Sequence, residues 1–223
     1  MQIRTLVTGP FQTNTYLICG GDQHKAIIVD PGEEADRLKQ ELEIHDLQLG
    51  AILATHAHLD HVSAVSELQR WSKAPFCLPS GEREVLRWLP EASRFFGVPE
   101  CAEPQVDLWL HPDLVNLSEV LAQDQLGFLE IGVHASPGHS PGGVCYQIGE
   151  HWFVGDTLFK GSVGRVDLPG GDWQTLQESL RALLTLPDNT PIYPGHGPQS
   201  TIGLERVSNP FLQEINGQYT TRA

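Results

Sequence analysis

Seven residues, Thr55-His56-Ala57-His58-Leu59-Asp60-His61, constrain this chain more than any other feature of it. They place three imidazoles and a carboxylate within six positions, directly after the apolar run Ala51 to Ala54. A lone surface histidine or a helix-starting aspartate is common. Packing rarely calls for three imidazoles this close together. In an extended segment His56 and His58 point the same way, and Asp60 and His61 then open a helical pattern from Val62 to Lys73. The group reads as metal-ligating.

The other candidate ligands share one kind of setting. His139 stands in Ser136-Pro137-Gly138-His139-Ser140-Pro141-Gly142-Gly143, Asp156 in Gly155-Asp156-Thr157, and His196 in Pro194-Gly195-His196-Gly197. Each follows a short apolar run on a glycine-flanked turn, and layered α/β folds collect ligands at the carboxyl ends of their strands. Five histidines and two aspartates are too many for one tetrahedral ion. Nitrogen and carboxylate donors without thiolate suit zinc, iron or manganese. Seven such donors can hold two divalent ions ~3.5–4 Å apart, with one carboxylate between them. The segment Gly138-His139-Ser140-Pro141-Gly142 formally matches a serine-nucleophile elbow, but the residue after that serine must donate its backbone N–H, and Pro141 has none.

The frame around these turns mixes strand and helix. Strands are expected at Thr15 to Cys19, Ala26 to Val29, Ala51 to Ala54, Phe128 to His134, Val144 to Ile148, Trp152 to Val154 and Pro191 to Tyr193. Helical periodicity marks Glu33 to Leu47, Val62 to Lys73, Gly81 to Leu89 and Trp173 to Leu186. With 223 residues and no repeat or linker, one domain spanning 1–223 is expected, with one Pro-rich excursion from Pro75 to Pro112. The pattern suits two sheets packed face to face with helices outside, or a single mixed sheet.

Charge narrows the partners. Twenty-eight acidic against 14 basic side chains give a formal net charge of -14, which repels nucleic acid and anionic membrane surfaces and leaves a small molecule as the expected partner. The opening MQIRTLVTG has no basic patch followed by an apolar stretch, and no run reaches the ~18 apolar residues of a membrane span, so a cytoplasmic protein is expected. Cys19, Cys77, Cys101 and Cys145 lie far apart and are expected as free, buried thiols.

The ordered motifs resemble the metallo-β-lactamase superfamily. His56, His58, Asp60 and His61 match its H-x-H-x-D-H signature, and Asp30-Pro31-Gly32, Gly138-His139-Ser140, Gly155-Asp156-Thr157 and Gly195-His196-Gly197 follow in the family order. The resemblance implies an α/β fold, a four-layer αββα sandwich. It assigns His56, His58 and His139 to one metal and Asp60, His61 and His196 to the other, with Asp156 bridging. The commonest zinc β-lactamases carry a cysteine where this chain has Asp156, and the family's nucleases usually carry extra domains and a basic face, so neither activity is expected.

Within the superfamily the chain resembles the glyoxalase II branch and its short bacterial hydroxyacylglutathione hydrolases. Gly9-Pro10-Phe11-Gln12-Thr13-Asn14-Thr15-Tyr16, Gly155-Asp156-Thr157-Leu158-Phe159 and Asn209-Pro210-Phe211 carry that likeness. It implies two divalent ions per chain, zinc first and iron or manganese otherwise, and hydrolysis of an anionic thioester such as S-lactoylglutathione by a metal-bridging hydroxide. Asp60 is expected to orient that nucleophile as a catalytic residue. Longer members add a C-terminal domain with cations for glutathione, which has no counterpart here. Lys160 and Arg165 are therefore the candidate substrate-binding cations. Two alternatives accompany this reading. One is a mononuclear iron dioxygenase acting on glutathione persulfide through His56, His139 and Asp156, whose branch has a segment similar to Gly164-Arg165-Val166-Asp167. The other is a non-catalytic metal-binding module.

Overall fold

Adjacent residues in the central strands face different cores. A computed structural model of the protein describes residues 1–20, 24–123, 125–126 and 129–215. Six strands, β1 (Gln2–Thr8), β2 (Thr13–Cys19), β3 (Lys25–Val29), β4 (Gln48–Leu53), β5 (Phe76–Pro79) and β6 (Leu108–Leu110), form the first sheet in sequence order. Helices α1 (Ala35–Ile44), α2 (Leu59–Val62), α3 (Val65–Ser72), α4 (Arg83–Arg87) and α5 (Leu89–Phe96) lie between its strands in sequence. The second sheet contains β7 (Ile131–Ala135), β8 (Val144–Ile148) and β9 (His151–Gly155), and a small hairpin follows as β10 (Leu158–Phe159) and β11 (Ser162–Val163). After α6 (Trp173–Leu183) come β12 (Pro191–Pro194) and β13 (Ser200–Thr201), which complete that sheet in the order β13-β12-β9-β8-β7. Helices α7 (Ile202–Ser208) and α8 (Pro210–Ile215) end the described chain.

Side chains alternate across a strand, and the alternation sorts this chain into three cores. Leu17, Ile28 and Ile52 pack outward with Leu38, Leu42, Val65 and Leu68 of α1 and α3. Their neighbours Ile18, Ile27 and Leu53 turn inward and meet Tyr146, Ile148 and Phe153 of the second sheet. Cys145, Trp152 and Val154 face outward again, under Leu176 and Leu180 of α6 and Ile202 of α7. Helix, sheet, sheet, helix is thus the layer order, the αββα sandwich. A strand buried on both faces reads as continuous apolar sequence, which is why β2, β3 and β4 stand out.

The structure departs from the expected elements in several places: β1, β10, β11, β13, α7 and α8 were not among them, and the helix expected over Gly81 to Leu89 is α4 followed by the start of α5. The helix expected over Val62 to Lys73 is two pieces, α2 and α3, because the metal-motif turn occupies its first turn. The excursion from Pro75 to Pro112 contributes β5 and β6, completing the first sheet, and α4 and α5 between them. Strands of four and three residues are too short for periodicity to announce. The second sheet's first strand begins at Ile131, and Phe128, where it was expected to begin, lies outside the described residues. Cys77, Cys101 and Cys145 are free and buried, while Cys19 is only partly so. Among the described residues no helix is long and apolar enough to cross a membrane.

Candidate metal centre

All seven expected donors converge at one end of the sandwich, where turns from both sheets meet. His56, His58, Asp60 and His61 follow β4; His139 lies between β7 and β8, Asp156 follows β9, and His196 follows β12. Three groups form within the cluster: His56, His58 and His139; His56, His61 and Asp156; and Asp60, His61 and His196. In each, the facing atoms lie within 4.8 Å of one another. Asp156 stands between the groups, its Oδ1 3.4 Å from His61 Nε2 and its Oδ2 3.5 Å from His139 Nε2 and 3.4 Å from His196 Nε2.

Hydrogen bonds behind the cluster decide which ring nitrogens face it. The Nδ1 of His139 lies 2.7 Å from the Arg165 carbonyl, which can only accept, so Nδ1 carries the proton and Nε2 is left as an acceptor facing the cluster, 2.9 Å from His58 Nδ1. Thr55 Oγ1 donates to Asp30 Oδ2 at 2.9 Å, so toward His56 Nδ1, at 3.0 Å, it can only accept. That leaves His56 Nε2 bare. Asp30 Oδ2 also lies 3.2 Å from His61 Nδ1. A carboxylate or carbonyl behind an imidazole is how metal-binding histidines are held and made more basic. The inward atoms His56 Nε2, His61 Nε2 and Asp156 Oδ1 are buried with no hydrogen-bond partner among the described residues. Buried polar atoms are seldom left so. A divalent cation satisfies all three, and nitrogen and carboxylate donors of this kind suit zinc, iron or manganese.

The charges of the cluster interlock. Burial pushes the Asp156 carboxyl up, but His61, His196 and His139 outweigh it and hold the group well below the usual carboxylate range. Burial likewise raises Asp60, and His61 and His196 bring it down to about 2. Both carboxylates are ionised at neutral pH. His58 is driven down to about 3 by burial and by His139, so it is a neutral imidazole, the form that binds metal.

Several residues that build this centre carry no ligand signature. Asp30, in left-handed conformation with φ 52°, accepts both the Thr55 amide at 2.6 Å and the Thr55 hydroxyl. Thr13 Oγ1 donates to Asp60 Oδ2 at 2.9 Å. Asn14 Nδ2 reaches the carbonyls of Pro194 at 2.9 Å and Gly197 at 2.7 Å, and the Tyr16 hydroxyl donates to Pro194 at 2.6 Å, so β2 grips the turn that carries His196. Glu82 is fully buried and accepts the amides of Ala57 at 2.9 Å and Gly142 at 2.6 Å, tying the His56–His58 turn to the His139 turn. The signal for Thr13 and Asn14 was in view, since polar residues open an otherwise apolar strand. Glu82 had none. Gly195 is required by space: a Cβ there would lie 2.1 Å from Asp156 Oδ1 and 2.7 Å from His61 Cε1.

Beside the cluster opens a cleft of about 340 Å³, bordered by His58, Asp60, His139, Asp156 and His196. Arg165 borders it and is paired with Asp167 through two hydrogen bonds of 2.6 and 2.7 Å. Lys160 is exposed and is not part of that lining. Trp88 and Phe96 are among the aromatic side chains that line the cleft. His24, His45, His111, His134 and His151 stand outside the donor groups.

Comparison with known proteins agrees with this geometry. Residues 8–196 match the family model described as the metallo-beta-lactamase superfamily. The hydroxyacylglutathione hydrolase GloC of Haemophilus influenzae is 40% identical over 216 residues, covering 95% of this chain and 98% of that protein. Two solved structures are each 37% identical: the BLEG-1 B3 metallo-beta-lactamase, with a TM-score of 0.85 over 95% of this chain and 99% of that one, and TTHA1623 in a di-iron-bound form, with 0.82 over 94% and 100%.

Proposed function

The chain belongs to the metallo-β-lactamase superfamily of metallo-hydrolases, and from that premise we propose that it is a binuclear metal-dependent thioesterase. The observation that carries this reading is the set of buried, partnerless donor atoms His56 Nε2, His61 Nε2 and Asp156 Oδ1, ringed by the remaining donors. His56, His58 and His139 would hold one ion and Asp60, His61 and His196 the other, with Asp156 reaching both. The complete second group favours two ions over a mononuclear centre. Zinc is the first expectation for the metal, and iron the next, as in the di-iron relative.

Bound dications supply a water acidified to a pKa of ~7 and a Lewis acid for a carbonyl oxygen. The chain's own residues do the rest. Asp60, ionised and fixed by Thr13, would accept a hydrogen bond from the attacking water and so set its direction. The cleft beside His58 and His139 receives the acyl carbonyl. A carbon–oxygen bond forms and the carbon–sulfur bond breaks; the protons of the attacking water pass to solvent, from which the departed thiolate takes one, giving a carboxylate and a thiol. A thiol of pKa ~8.5 leaves without a general acid. The 40% identity to a hydroxyacylglutathione hydrolase supports the thioester as substrate class.

Metal content and turnover test this together. Protein purified from unsupplemented medium should carry two metals per chain, hydrolyse simple thioesters, lose turnover on chelation and regain it with zinc, manganese or iron. A single iron per chain, with O₂ uptake on a persulfide and no thioester hydrolysis, would replace this reading with a dioxygenase.

A further inference from the structure

The cleft that opens onto the metal cluster is walled almost entirely by hydrocarbon. On one side α4 and α5 present Val85, Trp88, Leu89, Ala92 and Phe96. Phe11, from the turn between β1 and β2, joins them edge-to-face with Phe96 at a ring separation of 5.6 Å. Across the cleft stand Phe159 and Val163 of the β10–β11 hairpin and Leu168. The polar groups of the lining sit on the floor, in the donor cluster. Among the described residues that line the cleft, Arg165 is the one charged side chain outside that cluster, and its guanidinium is bound at two points by the Asp167 carboxylate.

A polyanionic tripeptide thiol would find no free cation in this lining and would have to approach a chain of net charge -14. An apolar group would instead exchange water for aromatic and aliphatic contact. We infer that this site selects thioesters whose acyl group is apolar, a medium-length alkyl or aryl chain laid between α4–α5 and the β10–β11 hairpin, with a small uncharged thiol as leaving group. The inference rests on the thioesterase reading for its chemistry and on the cleft for its selectivity. About 340 Å³ is at the lower end of small-molecule sites, enough for one arm of a substrate. One wall of the cleft comes from the stretch between Pro75 and Pro112, so part of the selectivity is carried by the segment between β5 and β6 while the donors stay on the turns.

The test uses the metal-loaded enzyme and thioesters of N-acetylcysteamine with acetyl, butyryl, hexanoyl, octanoyl and benzoyl groups, beside S-lactoylglutathione. Each added methylene buried in such a wall is expected to raise kcat/KM about fourfold until the cleft is filled. The octanoyl and benzoyl esters should exceed S-lactoylglutathione by at least a hundredfold. Trp88→Ala should raise KM for the octanoyl ester at least tenfold more than for the acetyl ester. A flat response to chain length, or a preference for S-lactoylglutathione, overturns the inference and leaves the thioesterase reading standing. Calorimetry with the non-hydrolysable S-octyl and S-ethyl thioethers of N-acetylcysteamine separates the two claims. If no thioester is turned over and the octyl thioether still binds at least a hundredfold more tightly, the thioesterase reading has failed and the apolar selectivity holds. Equal binding of the two thioethers overturns the selectivity whatever the turnover.

Discussion

The Thr13 hydroxyl donates to Oδ2 of Asp60 across 2.9 Å, joining the first residue of β2 to the turn after β4. The bond uses one lone pair of a carboxylate that His61 and His196 keep ionised at neutral pH, and so fixes the direction of the others. Thr13→Val keeps the shape and removes the bond. A hydrogen bond to a charged group contributes about 1.5–3 kcal/mol; if about half of that is orientation of the nucleophile, thioester kcat should fall roughly tenfold with metal content unchanged. Asp60→Asn should cost more than the Thr13 variant. Steady-state kinetics with metal analysis of both proteins is the check, and full turnover in Asp60→Asn would remove that carboxylate from the reaction.

Asn14 holds the His196 turn by the carbonyls on either side of it, Pro194 and Gly197. Asn14→Leu leaves the Gly197 carbonyl without its donor and the Pro194 carbonyl with the Tyr16 hydroxyl alone, at about 1–3 kcal/mol for the unpaired group. The loss should appear first in the ion that His196 helps to hold. Metal content should drop from two per chain toward one, and Tm should fall by several degrees. Retention of both ions through dialysis would show that the turn needs no such support.

Glu82 accepts the amides of Ala57 and Gly142, from two turns far apart in sequence. A glutamine there can accept one and must present an NH₂ to the other. Glu82→Gln should therefore lower stability by about 1–3 kcal/mol, or roughly 2–12 °C in Tm for a chain of this size. Thermal unfolding of the metal-loaded protein reads this directly, and an unchanged Tm would mean that the pairing contributes nothing.

The Arg165–Asp167 pair is exposed, yet it holds the Asp167 carboxyl down to about 2 from 3.8. A carboxyl depressed in the folded state stabilises it fully above the unfolded value near 3.8, and the contribution disappears as pH falls through about 2. At every pH at which the enzyme is active the guanidinium should remain paired. Carboxyl-carbon NMR titration of Asp167, with Arg165→Gln as control, should show the midpoint rise toward 3.8 in the variant.

Ligands and core were written in different alphabets. The candidate donors could be picked out because His56, His58, Asp60 and His61 crowd one stretch and the glycine-flanked His139, Asp156 and His196 follow apolar runs, local patterns that need no partner to be recognised. The inner strands were legible for the same reason, since Ala26 to Val29 is buried on both faces. What escaped was set by contacts distant in sequence. Glu82 is an ordinary surface-type residue until Ala57 and Gly142 approach it, and Asp30 gains its role only when Thr55 arrives from β4. Phe76–Pro79 and Leu108–Leu110 become strands by pairing with β4 and with each other, not by their own periodicity. Trp88 and Phe96 could not be assigned from sequence, because an aromatic on a helix looks the same whether it meets a core or a substrate.

The donors arrive from both sheets, the first four from the turn after β4 and the last from the turn after β12. A chain still emerging from the ribosome therefore presents His56, His58, Asp60 and His61 long before His139, Asp156 and His196 exist. No early fragment holds either three-donor ion site with Asp156 beside it. An ion that draws on donors from both halves would therefore bind only once the second half is made and docked, and a chain truncated before it lacks His139, Asp156 and His196.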